Sequence, residues 1–149
     1  MVYEKLYIAY LIYFNRDRDY FECHEVLEEL WLAREREPLY KGLLQVAVGL
    51  YHFRNGNVRG GKLLLTRSAV KLMEYPSVSL GINLAKLAQE AQEYAERLEI
   101  YNEKPFAYYD LDIEIVDAEL AAAVRSASPG IKPNIPQRRG PERPSVSKS

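Results

Sequence analysis

Residues 38–54 read PLYKGLLQVAVGLYHFR, a run that is mostly apolar or glycine. Its apolar residues do not alternate as they would in a half-buried strand, and Pro38 stands where the first turn of a helix tolerates proline. A helix that is apolar over most of its circumference is normally enclosed by other helices. The sequence therefore predicts a central helix from Pro38 to about Arg54, with the rest of the domain packed around it.

Helical periodicity continues on both sides of this segment, from the first residues to about Tyr101. We expect four further helices there, at about 2–14, 20–36, 58–75 and 84–100. Three of them follow residues whose side-chain oxygen can cap a helix, namely Asp17 or Asp19, Asn57 and Asn83. The short turn at 55–57 predicts that the third and fourth helices form an antiparallel hairpin.

The segment after Tyr101 is ambiguous. Leu111, Ile113 and Ile115 alternate like a short strand, yet residues 113–127 lead without a break into an Ala-rich run that favours a helix, which we prefer. The expected fold is all-α, a compact antiparallel helical bundle of about five to six helices in residues 1–128. A basic, Pro-rich tail, disordered or draped over the surface, is expected at 129–149.

Composition predicts a cytoplasmic, single-domain protein. The chain has 149 residues, 48% of them hydrophobic and 28% charged, which fits one globular domain. A single cysteine, Cys23, excludes an internal disulfide and fits a reducing compartment. The apolar run at 6–14 is too short to span a bilayer, so we expect no membrane insertion.

The charge is unevenly distributed. The net charge of −1 combines +4 from residue 130 onwards with −5 in the rest of the chain. The basic segment contains no aromatic residue on which bases could stack. We therefore expect nucleic-acid binding that is weak at most and lost at physiological salt.

The second helix carries candidate chemistry at His24, Glu25 and Glu28. His24 and Glu28 are four residues apart, so one face of the helix presents both side chains as a ligand pair or an acid–base pair. Glu25 and Glu28 also lie in a stripe between Phe21 and Leu32, which is unusual for a solvated face. The alternative is a partly buried histidine that is hydrogen-bonded to glutamate where helices or subunits meet.

The third helix carries a polar stripe, because Lys41, Gln45 and His52 fall within about 40° of one another around its axis. Gly42 and Gly49 adjoin this stripe. Glycine inside a helix costs about 1 kcal/mol relative to alanine, so we expect close approach by another helix or a ligand there. If the second and third helices pack together, both histidines, Gln45 and the carboxylate of the second helix could share one cluster.

Three motif matches are incomplete. Residues 56–62 have the spacing of a phosphate-binding loop, but Leu63 replaces the magnesium-binding Ser or Thr and a helix precedes the loop. Residues 24–28 resemble the H-E-x-x-H motif of a zinc-binding helix, but Glu28 stands where the motif has its second histidine. The E-x-x-H pair of di-iron bundles is absent. The start of the fourth helix, which follows Asn57, is a candidate binding site for an anion.

Residues 20–31, which read YFECHEVLEELW, together with the GLLQVA segment at 42–47 and the Gly56-Asn57 turn, resemble a small prokaryotic family, domain of unknown function family 309. The likeness spans about Asp19 to Leu98, with the first helix and the segment past Glu103 outside it. The resemblance implies a compact antiparallel helical bundle and brings no activity, cofactor or partner.

Two function classes follow from these residues. The first is a small-ligand or metal-binding pocket between helices two and three, with hydrolysis assisted by a divalent metal as the first reaction to test. The residues assigned to it are Glu28, Glu25 and His24 as catalytic groups, His52, Gln45, Trp31, Lys41 and Asn57 as binding groups, and His24, Glu28 and His52 as metal ligands. The second class is a non-enzymatic, self-associating helical protein in which these side chains form a structural network. Richness in tyrosine and the Phe21/Leu32 stripe favour a homodimer.

Overall fold

The structure, a computed structural model, describes residues 2–133. Its six α-helices are α1 Lys5–Ile12, α2 Tyr20–Ala33, α3 Pro38–Arg54, α4 Val58–Leu72, α5 Leu84–Glu99 and α6 Ala118–Ala127. The shorter elements are a π-helical turn at Tyr13–Asp17, strands β1 Val78–Ser79 and β2 Ile82–Asn83, and a 3-10 turn at Ser128–Gly130. The fold is therefore an all-α bundle, as the sequence predicted.

Helix α3 is the central helix. Twelve of its seventeen residues are buried, because nearly every position is apolar or glycine. It packs against α2 on one side and α4 on the other. Helix α5 packs outside α4, α1 packs against α2, and α6 covers α1. The prediction that residues 38–54 form an enclosed helix is confirmed.

The predicted helix starts are confirmed at three caps. Asp19 accepts a hydrogen bond from the backbone N–H of Glu22 at 3.1 Å, and Asn83 accepts one from Lys86 at 3.1 Å. Asn57 caps α4 in the same way. Gly56 takes a φ of +88° in the turn before it, so α3 and α4 form the expected antiparallel hairpin.

The two glycines of α3 bring α4 close. A Cβ atom built on Gly49 would lie 2.8 Å from Cγ of Leu65 and 3.2 Å from its backbone nitrogen. A Cβ atom on Gly42 would lie 2.8 Å from Cδ2 of Leu72. The close approach predicted at these glycines is thus made by a helix.

Two helix predictions need correction. The first helix was expected over 2–14 with a turn after it, but α1 begins at Lys5 and its last turn widens into the π-helical turn Tyr13–Asp17, closed by Arg18 at φ 54°. Residues 113–117 were expected in a helix and are extended. Ile115 forms a bridge with Ile82, and the backbone N–H of Val116 donates to the Gly81 carbonyl at 2.9 Å. Pairing with a hairpin distant in sequence outweighed local helix propensity, so α6 starts only after its cap, Asp117.

The segment that follows α6 is tied to the π-helical turn. The Arg16 guanidinium donates to the carbonyl oxygens of Ser128 at 2.8 Å and Ile131 at 2.6 Å. Most of the expected tail, residues 134–149, lies outside the described residues. Within 2–133, no helix combines the length and apolar character needed to cross a membrane.

Candidate functional site

Helices α2 and α3 run antiparallel, and ring contacts at their two ends fix the alignment. At one end the Lys41 Nζ lies 4.7 Å from the centre of the Trp31 ring. At the other end the Arg54 guanidinium carbon lies 4.5 Å from the centre of the Tyr20 ring. The candidate residues of both helices therefore lie along one seam, which we call the α2–α3 seam.

His24 is the most unusual residue of this seam. Its side chain is only 1% exposed, and neither ring nitrogen has a hydrogen-bond partner among the described residues. Each nitrogen instead faces a carboxylate, Nδ1 at 3.6 Å from Glu25 and Nε2 at 3.5 Å from Glu28. The carboxylates themselves are 37% and 39% exposed. The predicted trio is therefore assembled as a buried imidazole between two carboxylates that reach solvent.

Two further polar groups in the seam lack hydrogen-bond partners within residues 2–133. They are the Oε1 atom of Gln45, a residue that is 7% exposed, and the buried Nε1 atom of Trp31. Gln45 is four residues from Lys41, about 6 Å along the helix axis, so it is level with Leu27 and Glu28 of the antiparallel α2. Buried polar atoms without partners are rare in folded proteins.

The loop between α2 and α3 adds a positive charge that sequence reasoning missed. The Arg36 guanidinium carbon lies 5.6 Å from the centre of the Trp31 ring, which Lys41 also contacts. Glu35 and Arg36 adopt φ values of 57° and 60°, a left-handed conformation that L-residues rarely take. No sequence pattern signalled that conformation, because neither residue is Gly, Asn or Asp. The Trp31 end of the seam thus has two cations beside the indole ring, one helical turn from Glu28.

His52 and Asn57 meet at the turn between α3 and α4. The Asn57 side-chain nitrogen lies 3.5 Å from the His52 Nδ1, and its Oδ1 accepts from the Gly60 N–H at 2.8 Å. Partial burial lowers the pKa of the His52 imidazole below its ordinary value. Both residues were assigned to ligand binding from the sequence; Asn57 caps α4, and the His52 ring lies against that cap.

The side chains predicted to bind a metal are not arranged as a metal site. Across residues 2–133, no three or more side chains of His, Cys, Asp and Glu are grouped so that they could hold a metal ion. The set His24, Glu28 and His52 is therefore not assembled as a three-ligand centre. The physical reason is that the His24 imidazole is directed at the two carboxylates of its own helix, whereas His52 lies against Asn57.

A second polar cluster, also missed from the sequence, lies at the Tyr20 end of α2. The Tyr20 hydroxyl contacts the Tyr108 hydroxyl and donates to the Asp110 carboxylate at 3.3 Å. Burial raises the pKa of both phenols above their usual range. Arg54 lies over both rings and also donates to the Arg18 carbonyl at 2.8 Å. These contacts attach the segment after α5 to the core.

The sequence of the chain matches a known family model. The model of the family described as Domain of unknown function (DUF309) matches residues 7–64, which include the whole of α2 and α3. The chain is 38% identical over 129 residues to Uncharacterized protein YpuF of Bacillus subtilis (strain 168). The aligned region covers 83% of this chain and 72% of that protein. The chain belongs to this family.

A more distant relative extends the comparison. The chain is 29% identical over 93 residues to an uncharacterized protein of Aquifex aeolicus (strain VF5), covering 60% of this chain and 28% of that protein. No solved structure matches the chain. The expectation that the first helix lies outside the family was wrong, since the family model begins at Tyr7 within α1. The function of the family is unknown.

Proposed function

We propose that the α2–α3 seam is a small-ligand binding site in which His24 and Glu28 form an acid–base pair. The observation that carries the proposal is the His24 side chain, 1% exposed and yet without a hydrogen bond among the described residues at either ring nitrogen. Leaving buried polar atoms unpaired costs about 1–3 kcal/mol each, so their retention requires a reason. A ligand that completes these bonds supplies that reason.

The chemistry of the seam suggests what the ligand carries. Glu25, Glu28 and the Oε1 atom of Gln45 are all acceptors, so they favour a ligand with N–H or O–H donors, or a small cation. Lys41 lies at the other end, beside the Trp31 ring, and can pair with an anionic group. An imidazole beside a carboxylate is an arrangement that general acid–base catalysis uses.

The rival proposal is a structural network of the same side chains. Complete burial of His24 supports it, since buried polar residues often fix helix register. A structural network, however, is expected to satisfy its members by hydrogen bonds. Within the described chain the Gln45 Oε1 atom has no such bond, and the His24 nitrogens only approach carboxylates at 3.5 and 3.6 Å. The ligand site is therefore the better supported of the two.

The single tryptophan of the chain provides the assay. Trp31 is one helical turn from Glu28, so a ligand seated in the seam should change its fluorescence. The probes are ethanolamine and guanidinium as donor-rich cations, and Mg²⁺, Mn²⁺ and Zn²⁺ as metal ions. Glu28→Gln should weaken a saturable response at least about tenfold, the loss expected for a charge-assisted hydrogen bond. The matched control is Glu29→Gln, one residue along the same helix at an exposed position, which should leave the response unchanged.

The absence of a saturable response to every probe would count against the ligand proposal, as would equal effects of Glu28→Gln and Glu29→Gln. A response confined to the metal ions would show that the seam holds a divalent cation with fewer than three protein ligands. A response to the donor-rich cations alone would assign the seam to an organic ligand.

A homodimer and a cytoplasmic location are further parts of the proposal. The buried free thiol of Cys23 supports a reducing compartment. The homodimer needs a different surface from the Phe21/Leu32 stripe, because Phe21 is only 2% exposed and belongs to the core. The arginines at 138, 139 and 143 lie outside the described residues, so weak nucleic-acid binding stays a prediction.

A further inference from the structure

Helix α4 and its C-cap residue, Met73, carry an apolar stripe on the outer face of the bundle. Leu63, Val70 and Met73 are 48%, 61% and 52% exposed, and Thr66 lies between the first two. The spacing of these four residues is three, four and three, which is the spacing that a packing seam between helices uses. A stripe of large apolar side chains at this exposure has much of its area in contact with water.

The stripe borders a groove between α4 and α5 with a volume of about 460 Å³. Ala69 and Ala95 are among its lining residues, and their small side chains leave the two helices room for a third surface. Glu96 and Glu99 of α5 also line the groove. The groove and the stripe thus form one continuous surface, which we call the α4–α5 face.

The two helices of this face carry opposite charge. Helix α4 contains four cations and no acidic residue: Arg59, Lys62, Arg67 and Lys71. Helix α5 contains four glutamates against Lys86 and Arg97, a net charge of −2. Within the chain Lys62 already pairs with Glu99 at 3.3 Å, so attraction between α4 and α5 operates at this spacing. On the face itself, Arg59 and Arg67 are exposed beside the stripe of α4, and Glu96 and Glu99 line the groove on α5, so one half is basic and the other acidic.

We infer that the α4–α5 face is the interface of a homodimer, with α4 of each subunit packed against α5 of its partner. A surface with a basic and an acidic half is complementary to a second copy of itself when a twofold axis runs parallel to the helices. That operation places the apolar stripe of α4 against the partner's α5 and leaves neighbouring helices antiparallel, as in a four-helix bundle. This inference rests on the homodimer in the proposed function and assigns its surface.

The charges also choose between the symmetric arrangements. A twofold axis perpendicular to the helices would place α4 against α4, with Arg59 and Arg67 of one subunit facing the same residues of the other. Like charges that face each other across an interface weaken binding by several kcal/mol, so that arrangement is disfavoured. The exposed guanidinium groups of Arg59 and Arg67 flank the stripe and would meet the acidic half of the partner.

The experiment measures the dimer dissociation constant of the full chain by sedimentation equilibrium. Val70→Asp places a charge in the middle of the stripe and should raise the dissociation constant at least about tenfold. The matched control is Leu32→Asp, at another apolar residue that is 50% exposed, on α2. Leu32→Asp should leave the constant unchanged. Circular dichroism confirms that both variants fold.

A charge exchange tests the orientation. Arg67→Glu alone and Glu96→Arg alone should each weaken the dimer, whereas the double variant should recover most of the affinity because each altered α4 then faces an altered α5. A monomeric wild-type chain at micromolar concentration would overturn the homodimer and its surface together. A wild-type dimer that Val70→Asp leaves intact would overturn only the surface, and dissociation by Leu32→Asp instead would return the interface to α2. Failure of the double variant to recover would overturn the arrangement of α4 against α5.

Discussion

Replacing His24 with leucine separates a ligand site from a structural network. Leucine is close to histidine in size, so His24→Leu leaves little cavity and removes both ring nitrogens. Those nitrogens make no hydrogen bond within residues 2–133, and each unpaired buried polar atom costs about 1–3 kcal/mol. Glu25 and Glu28 keep access to water when the ring is removed, because more than a third of each side chain is exposed.

The free energy of unfolding of His24→Leu should therefore stay the same or rise, by up to about 2 kcal/mol. Urea unfolding followed by circular dichroism and by Trp31 fluorescence measures it, and coincidence of the two transitions checks two-state behaviour. A fall of more than about 2 kcal/mol would refute the reasoning, because it would show that His24 holds the helices together through bonds to its neighbours. The double variant with Glu28→Gln then measures the coupling between the two residues directly.

Three other predictions test the packing and the titration of the bundle. Gly49→Ala should lower the free energy of unfolding by about 1–3 kcal/mol more than Gly42→Ala, because the new methyl group at 49 meets backbone and at 42 meets only side chains that can move; thermal unfolding of the pair measures the difference. His52 has a lowered pKa, so the unfolded chain binds its proton first and stability should fall as pH drops below about 6.5; His52→Gln should flatten that decline in urea titrations between pH 7 and 5. Tyr3→Phe removes a 2.9 Å hydrogen bond to Asp117 and should cost about 1 kcal/mol, with faster hydrogen exchange in α6 as the local signature.

The bundle and its caps could be predicted from the sequence because the signals are local. The N-terminal caps of α2, α4 and α5 depend on a residue and the N–H group three positions later. The His24–Glu28 pair is equally local, since its members are four residues apart on one helix. Both could therefore be read without knowledge of the tertiary structure.

The missed features depend on contacts distant in sequence. Residues 113–117 are extended because Ile115 pairs with Ile82, and no window around 115 contains that partner. The alternation of Leu111 and Ile113, which are 5% and 3% exposed, was the only local trace of this arrangement. The position of His52 likewise could not be derived from its helical angle, because the turn that follows α3 places Asn57 beside it.

The central position of α3 has a consequence for function, because it separates the α2–α3 seam from the α4–α5 face. Helix α3 packs against α2 on the seam side and against α4 on the other. A substitution at Val70 is then expected to change association without changing the Trp31 response, and one at Glu28 to do the reverse, since effects at sites without shared contacts are usually additive. A Val70→Asp chain that is monomeric and still gives the wild-type Trp31 response would show that each subunit contains a complete seam. Loss of the response on dissociation would instead mean that the partner subunit stabilises the seam through α4 and α3.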